Sequence, residues 1–291
     1  MNLCFDVGGM STKVAFIKND AFIKKDIIKY DSLITAKNLF EKIVNYIKTS
    51  VEINNINNIC LSFPGLINNE TGEMSGLSAI QRNHEINFKK KLFELFHKNV
   101  YIENDAKCAA IAEMRKGNAI DVDNGLVLVI GTGIGSTVII NKKIHKGNHL
   151  MAGEIGCFLE KIENEKYLNF SETSGMYSLE KRYKKISGNT KTGKEIYESY
   201  LKDENAKELV NAQIYSLSKS IINISFTIDT DLVLIGGAIS SNELFLNLLN
   251  KKVKELYKLS NMKQNFTILK CKFLNDSNLI GANELSKNSS Y

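Results

Sequence analysis

The chain has 291 residues, 43% of them hydrophobic, and a net charge of +6 in which Lys and Arg are interspersed with Asp and Glu. That length suits two compact lobes or one large domain. No run reaches the roughly 18 apolar residues of a membrane span, and no basic stripe calls for nucleic acid. The first residues show no basic segment followed by an apolar stretch, so the sequence predicts an unprocessed, cytosolic protein.

Residues 3–30 read as three successive strands, Leu3–Val7, Lys13–Ile17 and Phe22–Ile28, with Gly8-Gly9 in the first turn and Asn19-Asp20 in the second. Apolar residues at helical spacing (Ile34, Leu39, Ile43, Ile47) predict a helix over 34–49, followed by a strand Asn58–Phe63 that ends at Pro64-Gly65. A polar loop through residue 87 precedes a helix at about 88–97, a strand Val100–Ile102 and an alanine-rich helix 106–116 closed by Gly117. The opening pattern then returns: strand Leu126–Ile130, a glycine turn, strand Ser136–Ile140, a turn and more extended chain. Helices follow at about 174–185, 191–202 and 205–228, then strand Leu232–Ile235, a helix near 242–258, strand Phe266–Cys271 and a helix Leu279–Ser286. The echo of a strand and glycine hairpin in each half predicts two related lobes with a cleft between them. The expected bounds are 1–117 plus a C-terminal helix at about 279–291 for the N-terminal lobe, and 118–278 for the C-terminal lobe, with a short hinge-like boundary at 117–124.

Five motifs carry chemistry. A glycine pair after a buried strand, as in Asp6-Val7-Gly8-Gly9, lets backbone N–H groups approach phosphate oxygens; the same pattern also makes a plain tight turn. Gly131-Thr132-Gly133-Ile134-Gly135 is denser in glycine and adds a hydroxyl, and two such turns at equivalent places would cradle one polyphosphate. Neither is a Walker loop, since no Gly-Lys-Ser/Thr follows, nor a dinucleotide fingerprint, since the glycines sit in hairpins. Ile235-Gly236-Gly237-Ala238 leads out of a strand, and its glycines either leave space for a nucleoside or allow close packing. Asp105, in Glu103-Asn104-Asp105-Ala106, stands where a carboxylate can accept the proton of a sugar hydroxyl while Asn104 holds neighbouring hydroxyls. Alternatively, Asn104 or Asp105 caps the following helix. Glu154, in Ala152-Gly153-Glu154-Ile155-Gly156, is a charge in a small-residue turn, suited to sugar hydroxyls or to a surface turn. The five cysteines (4, 60, 108, 157 and 271) form no C-x-x-C pair and read as reduced thiols, mostly buried.

In this order the motifs resemble the ROK family of the actin-like, ribonuclease H-like sugar kinase superfamily, over about nine tenths of the chain up to Leu279-Ile280-Gly281-Ala282. The resemblance implies an α/β fold of two actin-like lobes with ATP and a hexose in the cleft, phosphorylation of the 6-hydroxyl, Mg²⁺ accompanying ATP, and often a homodimer. It implies Asp105 as general base and Asn104, Glu154 and Cys157 near the sugar. It also implies Asp6, Gly8, Gly9, Met10, Ser11, Thr12 and Lys13 together with Gly131, Thr132 and Gly133 near the phosphates, and Gly236 and Gly237 near the nucleoside. Ser78, in the Gly76–Ala79 loop, is expected to face the sugar.

Three departures from the family pattern stand out. Met10 replaces the usual Thr after the glycine pair, leaving Ser11 and Thr12 as the hydroxyls. Cys157 replaces the usual His, and the Cys-rich zinc loop is missing, since residues 158–181 hold neither Cys nor His. A structural zinc needs four ligands, so no zinc is expected, and the segment 158–172 should be held by ordinary packing. The second sugar carboxylate of the family falls on Ser171 in an ungapped match, with Glu172 beside it as the candidate. Among zinc-less members, the chain looks most similar to bacterial N-acetylmannosamine kinases, which work in sialic acid breakdown; glucokinases and β-glucoside kinases are the alternative. A sugar-sensing repressor would need a DNA-binding segment before Asp6, for which the sequence leaves no room. A non-catalytic sugar-binding regulator is the reading from another class, and retention of Asp105 argues against it.

Overall fold

A computed structural model describes residues 1–31 and 33–287. In chain order the strands and helices of the first part are β1 (Asn2–Val7), β2 (Ser11–Lys18), β3 (Ala21–Lys29), α1 (Ala36–Ser50), β4 (Asn58–Phe63), β5 (Leu66–Ile67), β6 (Met74–Ser75), α2 (Phe88–Phe96), β7 (Asn99–Asn104) and α3 (Asp105–Lys116). They continue with β8 (Gly125–Ile130), β9 (Ile134–Ile140), β10 (Lys143–Ile144), β11 (Leu159–Glu163), β12 (Lys166–Asn169), α4 (Phe170–Ser174), α5 (Met176–Ser187) and α6 (Gly193–Glu198). The last are α7 (Glu204–Ile228), β13 (Leu232–Gly236), α8 (Glu243–Leu259), β14 (Thr267–Lys270) and α9 (Ser277–Glu284). The expected terminal helix 279–291 includes residues 288–291, which lie outside the described residues. No helix of the described residues is long and apolar enough to cross a membrane.

The chain divides into two compact units. The first gathers Met1–Lys116, Gly147–Met151 and the chain from Asp276; the second gathers Gly117–Lys146 and Ala152–Asn275. Each holds a five-stranded sheet, ordered β3-β2-β1-β4-β7 in the first and β10-β9-β8-β13-β14 in the second. The first three strands of each pair antiparallel and the rest parallel. Thus β1 corresponds to β8, β4 to β13 and β7 to β14. The echo in the sequence is a repeated mixed α/β sheet.

In the first unit, Thr35 caps α1 by accepting the Asn38 N–H, and Leu39, Ile43 and Ile47 bury its apolar stripe in a core with Leu3, Phe5, Phe63 and Phe88. Helix α3 is buried on nearly every face and crosses α9 so closely that a Cβ on Gly281 would stand 1.8 Å from the Cys108 carbonyl oxygen. In the second unit, Asp203 caps α7 and Asn242 caps α8, whose Phe245, Leu249, Val253 and Tyr257 enter a core with Leu126, Leu128, Ile235 and Phe170.

The structure departs from the sequence reading in places. The segment 158–172 contains a hairpin, β11–β12, turned by Asn164 and Glu165 at φ 50° and 60°. These are the left-handed angles of a type I′ turn, also found at Asn19-Asp20 and Asn141-Lys142. The helix expected at 174–185 is α5, Met176–Ser187, with the short α4 placed ahead of it across Gly175, and the one expected at 191–202 is helical only over Gly193–Glu198. The loop 64–87 contains the small hairpin β5–β6. After Gly237 comes a 3-10 turn, Ala238–Ser241, before α8 begins.

Candidate active site

In the first unit the end of β1 carries Asp6, whose residue surface is only 7% exposed. Its Oδ2 accepts Lys13 Nζ at 3.2 Å, and Oδ1 accepts Asn278 Nδ2 at 2.9 Å and Ser62 Oγ at 3.4 Å. The strand register explains the ion pair, since Asp6 stands opposite Lys13 across β1–β2. Between these strands runs the turn Gly8-Gly9-Met10, closed by the Gly8 N–H donating to Ser11 O at 2.9 Å. Met10 projects from it, 71% exposed.

The two hydroxyls after Met10 have different surroundings. Thr12 is fully buried and its Oγ1 lies 3.1 Å from the Tyr30 hydroxyl; Ser11 is half-buried. Thr12, expected among the phosphate contacts, has its hydroxyl enclosed against Tyr30. Tyr30 is a residue the sequence reading missed: its hydroxyl donates to Gly8 O at 2.5 Å and its N–H to Met10 O at 3.3 Å. Burial pushes the Tyr30 hydroxyl above its ordinary pKa, so it remains a donor.

Asn104 ends β7 and Asp105 begins α3. Asn104 Oδ1 accepts the Lys107 N–H at 3.0 Å, which is the helix cap, while its Nδ2 donates to Gly65 O at 3.0 Å and to Asp105 Oδ1 at 3.0 Å. Asp105 Oδ1 also accepts the Ala106 N–H at 2.8 Å. Capping and side-chain orientation thus coexist in one pair of residues. Ser78 belongs to the same assembly: its hydroxyl donates to Pro64 O at 2.8 Å and accepts the Ile80 N–H at 3.1 Å. The first bond holds the loop against the β4–β5 turn and the second closes the loop on itself, a structural use not foreseen for Ser78. Ala79 lies against Gly9, where a Cβ would stand 3.3 Å from the Ala79 Cβ.

In the second unit, the turn Gly131-Thr132-Gly133 joins β8 to β9 as Gly8-Gly9-Met10 joins β1 to β2. Gly131 and Thr132 turn their carbonyls onto the start of α5, accepting the Met176 N–H at 2.9 Å and the Tyr177 N–H at 3.2 Å. These bonds satisfy helix N–H groups that have no partner within α5. At the end of β13, Gly237 has φ +83°, and a Cβ there would stand 2.1 Å from Ile130 O, so close packing on β8 requires glycine. Gly236 packs between Cys271 and Val129.

Glu154 sits in a turn held by Ser136, whose Oγ donates to Gly153 O at 2.6 Å and accepts the Ile155 N–H at 2.8 Å. Cys157 is exposed, and its carbonyl accepts the Tyr167 hydroxyl at 2.6 Å. Desolvation by the surrounding chain and the Glu154 carboxylate push its thiol up, which keeps it neutral. Glu172 is engaged in a capping box: its Oε2 accepts the Asn169 N–H at 3.1 Å while Asn169 Oδ1 accepts the Glu172 N–H at 2.9 Å. Its other oxygen stands 3.6 Å from Lys166 Nζ.

The first unit therefore brings together Asp6, Gly8 to Lys13, Ser78, Asn104 and Asp105. The second carries Gly131 to Gly133, Glu154, Cys157, Glu172, Gly236 and Gly237. Among curated proteins the chain is 30% identical to a β-glucoside kinase of Listeria innocua, over 83% of this chain and 84% of that protein. Among solved structures it is similar to a Listeria monocytogenes protein described as a candidate N-acetylmannosamine kinase, with 27% identity, a TM-score of 0.86, and coverage of 98% of this chain and 97% of that one. The fold is also that of a Streptomyces griseus glucokinase in complex with glucose and AMPPNP, at 18% identity, a TM-score of 0.84 and 99% coverage of both chains. The model of the ROK family matches residues 2–289, and the chain belongs to that family.

Proposed function

We propose that this chain is an ATP-dependent sugar kinase that transfers the γ-phosphoryl group of ATP to the 6-hydroxyl of a hexose, with Asp105 as general base. The observation that carries the reading is Asp105 at the β7–α3 junction, its Oδ1 fixed by Asn104 Nδ2 and the Ala106 N–H, in the same unit as the Gly8-Gly9 turn. As the sugar oxygen attacks the γ-phosphorus, its proton passes to the Asp105 carboxylate and ADP leaves. The protein's share is positioning and charge stabilisation.

Gly8 to Ser11 and Gly131 to Gly133 serve the phosphates, Gly236 and Gly237 the nucleoside, and Glu154 the sugar hydroxyls. Mg²⁺ carried by ATP needs only one or two protein carboxylates, and it neutralises phosphate charge when bound. Asp6, already fixed by Lys13, Asn278 and Ser62, is the carboxylate on the phosphate-turn strand.

For the sugar, the reading is N-acetylmannosamine, supported by the zinc-loop departure in the sequence and by likeness to the Listeria monocytogenes structure. A β-glucoside is the second reading, favoured by the 30% identity to a β-glucoside kinase. A cytosolic homodimer completes the proposal, checked by sedimentation of the purified protein. The function is tested by ADP release with ATP and Mg²⁺ over N-acetylmannosamine, N-acetylglucosamine, glucose, mannose and cellobiose. Preference for N-acetylmannosamine supports the first reading and preference for glucose or cellobiose the second. Silence on every sugar sinks the kinase and revives the non-catalytic sugar-binding regulator.

A further inference from the structure

Ser171, in α4, sits where two turns meet. Its Oγ accepts the Ile134 N–H at 3.0 Å and donates to the Ile134 carbonyl at 3.2 Å, so one hydroxyl makes two bonds to the first residue of β9. On one side is Gly133, where a Cβ would stand 3.3 Å from the Ser171 Cβ. On the other is Gly156, where a Cβ would stand 2.1 Å from Ile134 O and 2.6 Å from Ser171 Oγ. The contact continues through Gly175, whose N–H donates to Ser171 O at 3.0 Å and whose Cβ would stand 2.5 Å from Thr132 O and 2.9 Å from Gly133 Cα. Three glycines thus close around one serine with no room for a methyl group at Gly156 or Gly175. A packed junction of this kind shifts as a unit rather than bending locally.

The two turns belong to different substrates in the kinase reading, on which this inference rests. Gly131 to Gly133 serves the phosphates. Gly153 to Cys157 carries Glu154 and is fixed at its start by Ser136, two residues along β9 from Ile134. Motion of the Glu154 turn displaces Gly156, and Gly156 cannot shift against Ile134 and Ser171 without shifting Gly133.

We propose that Ser171 is the positioning residue that couples the sugar turn to the phosphate turn, so that sugar at Glu154 tightens nucleotide binding. By linkage, nucleotide tightens sugar by the same factor. Loss of the hydroxyl removes both bonds to Ile134 and lets the turns move separately.

The test is calorimetric titration of AMPPNP with Mg²⁺, alone and with saturating N-acetylmannosamine, glucose or cellobiose. In the wild type, the sugar that binds should tighten AMPPNP by about five-fold or more, the usual size of such coupling. Ser171→Ala should reduce that factor to below about two-fold, and Ser171→Cys, close in size and able to bond weakly, should restore part of it. Ser225→Ala is the control: it deletes a buried hydroxyl bonded to Tyr257 at 2.5 Å in the same unit and should keep the full factor. Should Ser171→Ala fail to fold, Ser171→Cys is compared with the wild type directly, and its factor should fall below the wild-type one. Full coupling in the Ser171 variants, or equal loss in Ser225→Ala, overturns the proposal. Binding of both ligands by the wild type without coupling overturns it and spares the kinase reading, whereas binding of neither overturns both.

Discussion

Asn104 and Asp105 are bonded side chain to side chain, Nδ2 to Oδ1 at 3.0 Å, and the same Asn104 nitrogen is tied to Gly65 O at 3.0 Å. Because Asn104 Oδ1 also caps α3, the direction of the Asp105 carboxylate is set by a helix end and by the β4–β5 turn at once. Asp105→Asn keeps the size of the side chain and removes its basicity. The expected result is a loss of at least ~100-fold in kcat with sugar affinity close to wild type, since a positioned base contributes ~10²–10⁴-fold. Steady-state kinetics beside sugar calorimetry checks it, and wild-type turnover would assign the base elsewhere.

Ser11 and Thr12 should separate in function as they separate in burial. Thr12 is enclosed against Tyr30, so Thr12→Val should leave the KM for ATP within about two-fold of wild type and lower Tm modestly, as loss of one neutral hydrogen bond does. Ser11→Ala should raise the KM for ATP roughly ten-fold, the worth of one hydrogen bond to a charged group. The reverse pattern would place the phosphate against Thr12.

The repeated sheet was legible because strand and glycine turn recur together, and the motifs at Gly8, Asn104, Gly131 and Gly236 could be placed because each stands at a strand end. The hairpin at 159–169 was not, since its turn is Asn164-Glu165, with no glycine to mark the left-handed residues. Asn at the first position, shared with Asn19 and Asn141, was the signal available. The α4–α5 boundary at Gly175 was equally hidden, because α5 begins where the Gly131 and Thr132 carbonyls take its first N–H groups, a contact distant in sequence. Tyr30 was missed for the same reason, because its hydroxyl reaches back 22 residues to Gly8.

Gly281 permits the α3–α9 crossing beneath Asp105. Gly281→Ala places a methyl group where a Cβ stands 1.8 Å from the Cys108 carbonyl oxygen, a backbone atom that cannot swing aside. Overpacking of this kind costs about 1–3 kcal/mol or more. The variant should show a lower Tm together with reduced kcat, because α3 has to shift and Asp105 is its first residue. Unchanged Tm and kcat would mean that the two helices separate freely.

Asp203 ties three elements of the second unit together. Its Oδ2 accepts the Tyr183 hydroxyl at 2.5 Å and Lys191 Nζ at 3.1 Å, and its Oδ1 accepts the Ala206 N–H at 3.2 Å as the cap of α7. The Tyr183 bond first, then Lys191 and the helix N–H, lower its pKa from the ordinary 3.8 to about 2. A folded-state value below the unfolded one means that the charged form is favoured by folding. This stabilisation is present in full above the unfolded value and disappears as pH falls through the folded value. Asp203→Asn retains a capping oxygen and deletes the charge. Its Tm should therefore lie below wild type at pH 7, with the gap constant down to about pH 4 and closing toward about pH 2, as the linkage requires. Melting curves for both proteins across that range, taken wherever a folded baseline persists, give the gap directly. A gap that stays the same width between pH 4 and pH 2 would show that geometry, and not the carboxylate charge, joins α7 to Tyr183 and Lys191.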